Sequence, residues 1–150
     1  MSATIDLSSA VNGINQILQR LNDLIPFYDE VGTFAVNQIR EKLHDGKTTP
    51  SGTPWAPWRP FTEEQRFLKG NTSQGLLWDT GALIESIHFN VDGNFDVTIG
   101  TDLDYGKTLQ DGIPGKQEPR PFIGWEVNDF ALMERAAIRY FETGAVGGIV

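Results

Sequence analysis

Four prolines, Pro50, Pro54, Pro57 and Pro60, constrain this chain more than any other feature of it. They sit in the segment GKTTPSGTPWAPWRPF, residues 46–61. Each proline fixes its own φ, lacks an amide donor and pushes the preceding residue into extended backbone. The run is therefore expected to be extended and polyproline-like, with separate elements on either side of it. Trp55 and Trp58 lie inside this run. Two roles fit them: an ordered loop pinned to the body by its rings, or a ligand held out for a partner. The first is favoured, because a tryptophan left in water forfeits a large burial term.

Ahead of the prolines the chain reads as helix. Leu7, Val11, Ile14, Leu18, Leu21 and Ile25 recur at alternating spacings of four and three, the a/d seam of a helix that packs along another helix. The spacing predicts a helix over about 5–25, capped by Ser8 or Ser9 and ended or kinked at Pro26. Its seam lies either on its own domain or along a neighbouring subunit. Asn12, Gln16, Gln19 and Asn22 keep the other faces polar and nearly uncharged. A second helix is expected from about Phe27 to Leu43, with Val31, Ala35, Ile39 and Leu43 on one face and Gly46 as its stop.

After the prolines, Thr62-Glu63-Glu64-Gln65 has the form of a capping box and predicts a short helix through Phe67 and Leu68. A polar loop follows over 71–75; its Asn71-Thr72-Ser73 matches a glycosylation sequon, without meaning where no secretion signal is seen. The sheet core is expected within 78–125. Asp79 or Thr80 is expected to cap a short helix through Leu83. Then Ile87, Phe89 and Val91 alternate with polar residues, the turn Asp92-Gly93-Asn94 intervenes, and Phe95, Val97 and Ile99 alternate in turn. Period-two alternation about a glycine turn predicts a hairpin over about 86–100. Tyr105 to Gln110 is expected to form one helical turn ended by Gly112, and 119–124 is expected to be extended and to add a third strand. A last helix over 128–142 places Phe130, Met133, Ala137, Tyr140 and Phe141 inward, Gly144 ends it, and a loose tail follows. The class predicted is α+β: a small antiparallel sheet packed with N- and C-terminal helices, as a single domain over 1–150.

Composition and spacing narrow the chemistry. The net charge of −8 and pI near 4.6 argue against a protein that grips phosphates, since duplex binding needs clustered Lys and Arg. Acidic walls suit the opposite task, letting DNA slide past. The absence of cysteine removes disulfides, thiol nucleophiles and thiolate metal sites together. No apolar run approaches the length of a membrane span, and the opening MSATIDLSS lacks the basic start and apolar centre of a signal peptide, so synthesis in a cytoplasm is expected. Gly46-Lys47-Thr48 and Gly106-Lys107-Thr108 resemble phosphate loops, but Glu41 and Thr101 stand where the first glycine must be. Asp102, Asp104 and Gly106 hint at a calcium loop, which fails at Gly106 and at Ile113. His44 and His88 lie on separate elements, and Ser86 and His88 are too close on one strand to form a triad. No catalytic, cofactor or metal residues are assigned, and no enzyme is expected.

Several segments, taken in order, resemble the phage virion morphogenesis family, the tail-completion proteins of tailed bacteriophages. They are Pro50-Ser51-Gly52-Thr53-Pro54-Trp55-Ala56-Pro57; Leu76-Leu77-Trp78-Asp79-Thr80-Gly81-Ala82-Leu83 with Ser86-Ile87; Val97-Thr98-Ile99-Gly100-Thr101; Tyr105-Gly106; Gln110-Asp111-Gly112; and Pro119-Arg120-Pro121-Phe122-Ile123-Gly124. Two departures stand out: a run usually rich in lysine keeps little beyond Arg66 and Lys69, and Gly106 stands where alanine is usual. The resemblance implies a structural protein of the virion at the head–tail junction, made in the host cytoplasm and assembling as a ring, six-fold by analogy with the tail. Its partners would be further copies of itself, the end of the tail tube or sheath, and head-connector or neck proteins. DNA would be cargo in the channel, and no membrane would be involved.

Ten residues are candidates for subunit or partner contact: Leu7, Val11, Ile14, Leu18, Leu21, Trp55, Trp58, Tyr105, Gln110 and Arg120. Arg120, held extended between two prolines, is expected to fork onto a carboxylate, either a neighbour's or Asp79 of its own chain. Phe122 is expected in the core. Tyr105 and Gln110 either bond the hairpin or face a neighbour, and the tail is a candidate docking arm. Two other functions fit the residues: an assembly chaperone or scaffold absent from the finished particle, and a carbohydrate-binding module stacking sugars on Trp55, Trp58 and Trp78.

Overall fold

The computed structural model describes residues 6–70, 75–77, 80–93 and 96–149. The sequon at 71–73, Trp78, Asp79, the turn and strand positions Asn94 and Phe95, and Val150 lie outside the described residues.

Among the described residues, six α-helices and two strands follow one another along the chain. They are α1 (Ser8–Asn22), α2 (Ile25–Glu41), α3 (Pro60–Leu68), α4 (Ala82–Ser86), β1 (His88–Asp92), β2 (Asp96–Gly100), α5 (Tyr105–Asp111) and α6 (Val127–Thr143). A π-helical turn, Lys42–Gly46, carries α2 onward to Lys47, whose left-handed φ of 51° ends it. The α+β class is as the sequence predicts.

Helix boundaries shift for local reasons. Pro26 does not terminate α1; it sits in the first turn of α2, where its missing N–H is an orphan anyway. The first turn of α1 takes a hydrogen bond from Ser8 N to Asp6 Oδ1 at 2.9 Å rather than a Ser8 or Ser9 cap. Pro60 likewise opens α3, so Thr62 lies inside that helix and caps nothing. Thr80 Oγ1 accepts from Ala82 N at 3.3 Å ahead of α4. At α6, Glu126 and Asp129 exchange the two bonds of a capping box.

The hairpin forms, with Phe89 opposite Ile99 and Val91 opposite Val97; Asp92, expected in the turn, pairs with Asp96 at the end of the strands. These half-buried pairs face α2, which packs on both strands. The close approach is made at Gly32, where a Cβ would stand 2.2 Å from the Phe89 ring. One core gathers Val36, Ile39, Leu43, Trp55, Leu83, Ile87 and Phe122. A second gathers Val31, Phe34, Ala136 and Ile149 between α2 and α6.

Two expectations at the C-terminal end are corrected. Of the inward set on α6, Tyr140 is buried and Met133 packs on the second core, but Phe130 is 59% exposed and the other buried positions are Asp129 and Ala136. The tail is not loose at its end: Ile149 is buried and its amide donates to Glu30 Oε1 at 3.1 Å. Glu30 also pairs with Arg139 of α6 at 3.5 Å.

The Gly32 contact sets a testable contrast. Gly32→Ala gains helix propensity but drives a methyl into the Phe89 ring, and should destabilise by about 1–3 kcal/mol. Gly13 in α1 has no atom within 4 Å of its would-be Cβ, so Gly13→Ala should stabilise α1 by about 0.5–1 kcal/mol. Urea unfolding of the two variants reads both signs; equal shifts would refute the close α2–hairpin contact.

Candidate assembly surfaces

The ten sequence candidates separate into an inward and an outward set. Trp55 is inward: it is buried, and its Nε1 donates to Pro121 O at 2.9 Å. Arg120 is inward as well, and its described partners are carbonyls of its own chain; Asp79 lies outside the described residues. Its Nε and Nη2 donate to Ala56 O at 3.1 and 3.0 Å, and Nη2 donates to Pro57 O at 3.0 Å. Burial pushes its pKa down while Glu118 opposes that shift. The proline run has few amide donors, so its carbonyls need external ones; a guanidinium fork supplies several from one side chain.

Gln110 is the third inward residue. Its Oε1 accepts from Phe122 N at 2.9 Å and Ile123 N at 3.1 Å, while its Nε2 donates to Ile123 O at 2.9 Å. The extended segment 119–124 therefore adds no third strand to the sheet, which pairs β1 with β2 alone among the described residues. A glutamine side chain from α5 takes the place of the neighbouring strand. Arg120 N adds one backbone bond, to Leu109 O at 2.8 Å. Phe122, at 1% exposure, is core. Sequence reasoning missed Gln110's role because its partners lie on a segment twelve residues away with no pairing pattern.

The outward set begins with α1. None of its residues is buried, and Leu7, Val11, Ile14, Leu18 and Leu21 stand 44–62% exposed, with Ile17 exposed beside them. The helix meets the body at α6. Arg20 Nη1 donates to Phe141 O at 2.6 Å, and the Tyr140 hydroxyl donates to Asp23 O. Tethered near its C-terminal end, α1 presents the whole a/d seam to solvent.

Trp58 and Tyr105 flank a second feature, a cleft of about 630 Å³ between α3, α4 and α5. Trp58 is half-buried, with the Arg66 guanidinium 4.4 Å over its ring. Tyr105 is 46% exposed. Arg59, Arg66, Lys116 and Arg120 all line the cleft, with Glu118. Sugar stacking by three tryptophans loses its basis here, because Trp55 is interior and Trp58 already carries Arg66; Trp78 is outside the described residues. The glycine-lysine-threonine at 106–108 lies within α5, and Gly106 is packed so closely that a Cβ would meet Thr101 Cγ2 at 2.5 Å.

Among the described residues no three His, Cys, Asp or Glu stand together as metal ligands, and no helix is long and apolar enough to cross a membrane. His88 Nδ1 lies 2.9 Å from Ser86 O, and Ser86 Oγ lies 2.6 Å from Thr101 Oγ1, so the two bond backbone and threonine rather than each other's side chains. What the molecule offers is surface: a small α+β body, an uncovered helix and a cationic cleft. The model of the phage virion morphogenesis family matches residues 5–141, and the chain belongs to that family. Its role is therefore in the building of phage particles, in a morphogenesis family rather than one known for catalysis. No curated protein and no solved structure matches the chain.

The inward set makes a direct prediction. Gln110→Ala strands two amides and a carbonyl beside buried Phe122, and should cost about 2–4 kcal/mol. Arg120→Lys keeps the charge but loses the fork, and should cost about 1–2 kcal/mol. Chemical denaturation gives both values. A near-neutral Gln110→Ala would show that 119–124 is held some other way.

Proposed function

We propose that this protein is a structural component of the phage head–tail junction, a tail-completion, terminator or neck protein that assembles as a homo-oligomeric ring around the DNA channel and joins tail to head. Six-fold order follows the analogy with the tail. Family membership supports a place in particle assembly. The observation that carries the assembly step is α1, a 15-residue helix whose apolar seam is exposed among the described residues. A protein that stayed alone would leave this patch to aggregate or fray. The net charge of −8 suits a lumen through which DNA moves without adhering.

Magnitudes say how such a ring would behave. Covering the exposed half of six apolar side chains is worth about 1 kcal/mol each. The sum, about 6 kcal/mol, falls inside the ~4–15 kcal/mol that association costs in lost freedom. The seam alone then holds subunits weakly, and a tail end or a second contact is needed to complete the ring. That fits a protein that assembles where a template presents itself.

Light scattering over a concentration series should show self-association that grows with concentration. Ile14→Asp with Leu18→Asp should abolish it while shifting the thermal midpoint little, since neither side chain is buried in the monomer. Mass spectrometry of purified virions should find stoichiometric copies. Absence from virions would replace the structural role with that of an assembly chaperone or scaffold.

A further inference from the structure

After α6 the chain doubles back along the helix it has just left. Ile149 is buried against Val31, Phe34 and Ala136. Ala136 lies about two turns, roughly 10 Å, before the end of α6 at Thr143. Glycines make the reversal: Gly144, Gly147 and Gly148 carry φ of 75°, 93° and 146°. Residues 144–148 are exposed, and Ala145 N donates only to its own helix end, at Thr143 Oγ1, 3.1 Å away. Among the described residues the return is held at its far end, by the Ile149 side chain and by the Ile149 amide on Glu30 Oε1 at 3.1 Å.

The socket for Ile149 is made by other elements. Val31 and Phe34 come from α2 and Ala136 from α6, with Glu30 and Arg139 beside them on the same two helices. The folded-back segment fits it imperfectly. Glu30 Oε2 and Arg139 Nε and Nη2 are buried without a hydrogen bond among the described residues, and a Cβ on Gly148 would stand 2.2 Å from Arg139 Nη1. Buried polar atoms without partners raise the free energy of this closed arrangement. Glycine takes either sign of φ at little cost, so the segment has an extended alternative that reaches about 17 Å beyond α6. Extension leaves Ile149 and its socket both open to water, as two apolar surfaces of matching shape.

We propose that residues 145–149 form an exchangeable arm, and that in the assembly Ile149 of one copy fills the Val31–Phe34–Ala136 socket of the next. This rests on the reading that the protein self-assembles, and deepens it by naming a contact with a direction. Arm and socket are different surfaces, so the contact is heterologous: every copy gives one arm and accepts one, and repetition generates a ring when the rotation closes. The contacts within a copy are remade between copies, which makes exchange a low-cost route to association. A free copy keeps its arm at home, because its own socket is at high effective concentration. Copies gathered on a template offer a neighbour's socket at comparable concentration, and the arm crosses.

The hinge gives the decisive test. Gly147 is exposed and a Cβ there meets no atom within 4 Å, so alanine alters the φ preference without a clash. An L-residue at φ 93° disfavours the folded-back state. Light scattering over a concentration series should find Gly147→Ala associating at about fivefold lower concentration than wild type. An arm that only seals its own chain would leave association unchanged. Ile149→Asp should weaken association about tenfold or more. The chain has no cysteine, so mixing Ile149→Cys with Ala136→Cys under mild oxidation should give mixed disulfide dimers in preference to like ones. No gain in Gly147→Ala, full association in a folded Ile149→Asp, or mixed dimers no commoner than like ones overturns the proposal. Should a buried variant misfold, Gly147→Ala still decides. If Ile14→Asp with Leu18→Asp abolishes association while Gly147→Ala leaves it unchanged, the arm is rejected and assembly through α1 stands. A Gly147→Ala chain that is monomeric at every concentration also rejects the arm, and stoichiometric copies in virions would then keep the structural role.

Discussion

The fold hangs on one side-chain amide. Phe122 is buried at the centre of the main core, and burying it takes the backbone on either side out of water. Amides and carbonyls there must find partners or forfeit a large desolvation term. Gln110 meets that demand with one acceptor and one donor, in the geometry a strand would have used. With 119–124 fixed, Pro121 O is placed to receive Trp55, and Arg120 is placed to grip the carbonyls of Ala56 and Pro57. The proline run, which has too few amides to bind itself to anything, is thereby fastened to the body. The cleft follows from the same stitch, since Trp58 and Arg59 continue the fastened run on one side and Tyr105 shares α5 with Gln110 on the other.

Elements with a local period were legible in the sequence. The hairpin came from alternation, while its pairs, Phe89–Ile99 and Val91–Val97, came only with the structure. The helix at 105–111 with its stop at Gly112, and the C-terminal helix with its stop at Gly144, came from breakers whose φ is left-handed, 72° and 75°. What failed was non-local or degenerate. A third strand was expected because 119–124 is extended, but extension does not specify a partner, and glutamine competed successfully with a strand. Pro26 and Pro60 read equally as helix stops and as first-turn residues; the chain uses them as the latter. Ile149 carries no periodic signal, so its docking against Val31, Phe34 and Ala136 was invisible.

The candidate site was half legible for a related reason. The heptad seam announced a packing surface, but a seam reads the same whether its cover is its own domain or another chain. Burial decides that, and the seam is open. Arg120 was singled out by its flanking prolines, yet its described partners are backbone carbonyls, which no residue type marks in advance. The cationic cleft could not be read at all. Arg59 and Arg66 are separated from Lys116 and Arg120 by about fifty residues, and scattered charge in sequence became clustered charge only after folding.

Symmetry links the two outward surfaces. A seam with almost no charge beside it has little to fix direction or partner, because the flanking e and g positions that normally do so are Ser8, Ala10, Asn15, Ile17 and Asn22. Seam against identical seam is a two-fold contact, and a two-fold contact closes after two copies. A ring needs a surface that differs from the one it meets. On the proposed ring α1 supplies apolar area without dictating orientation, and a second, unlike contact must set the direction. The weak seam is then useful: strong self-pairing of α1 would trap dimers, whereas a seam worth only a few kcal/mol yields to the arrangement that a second contact selects.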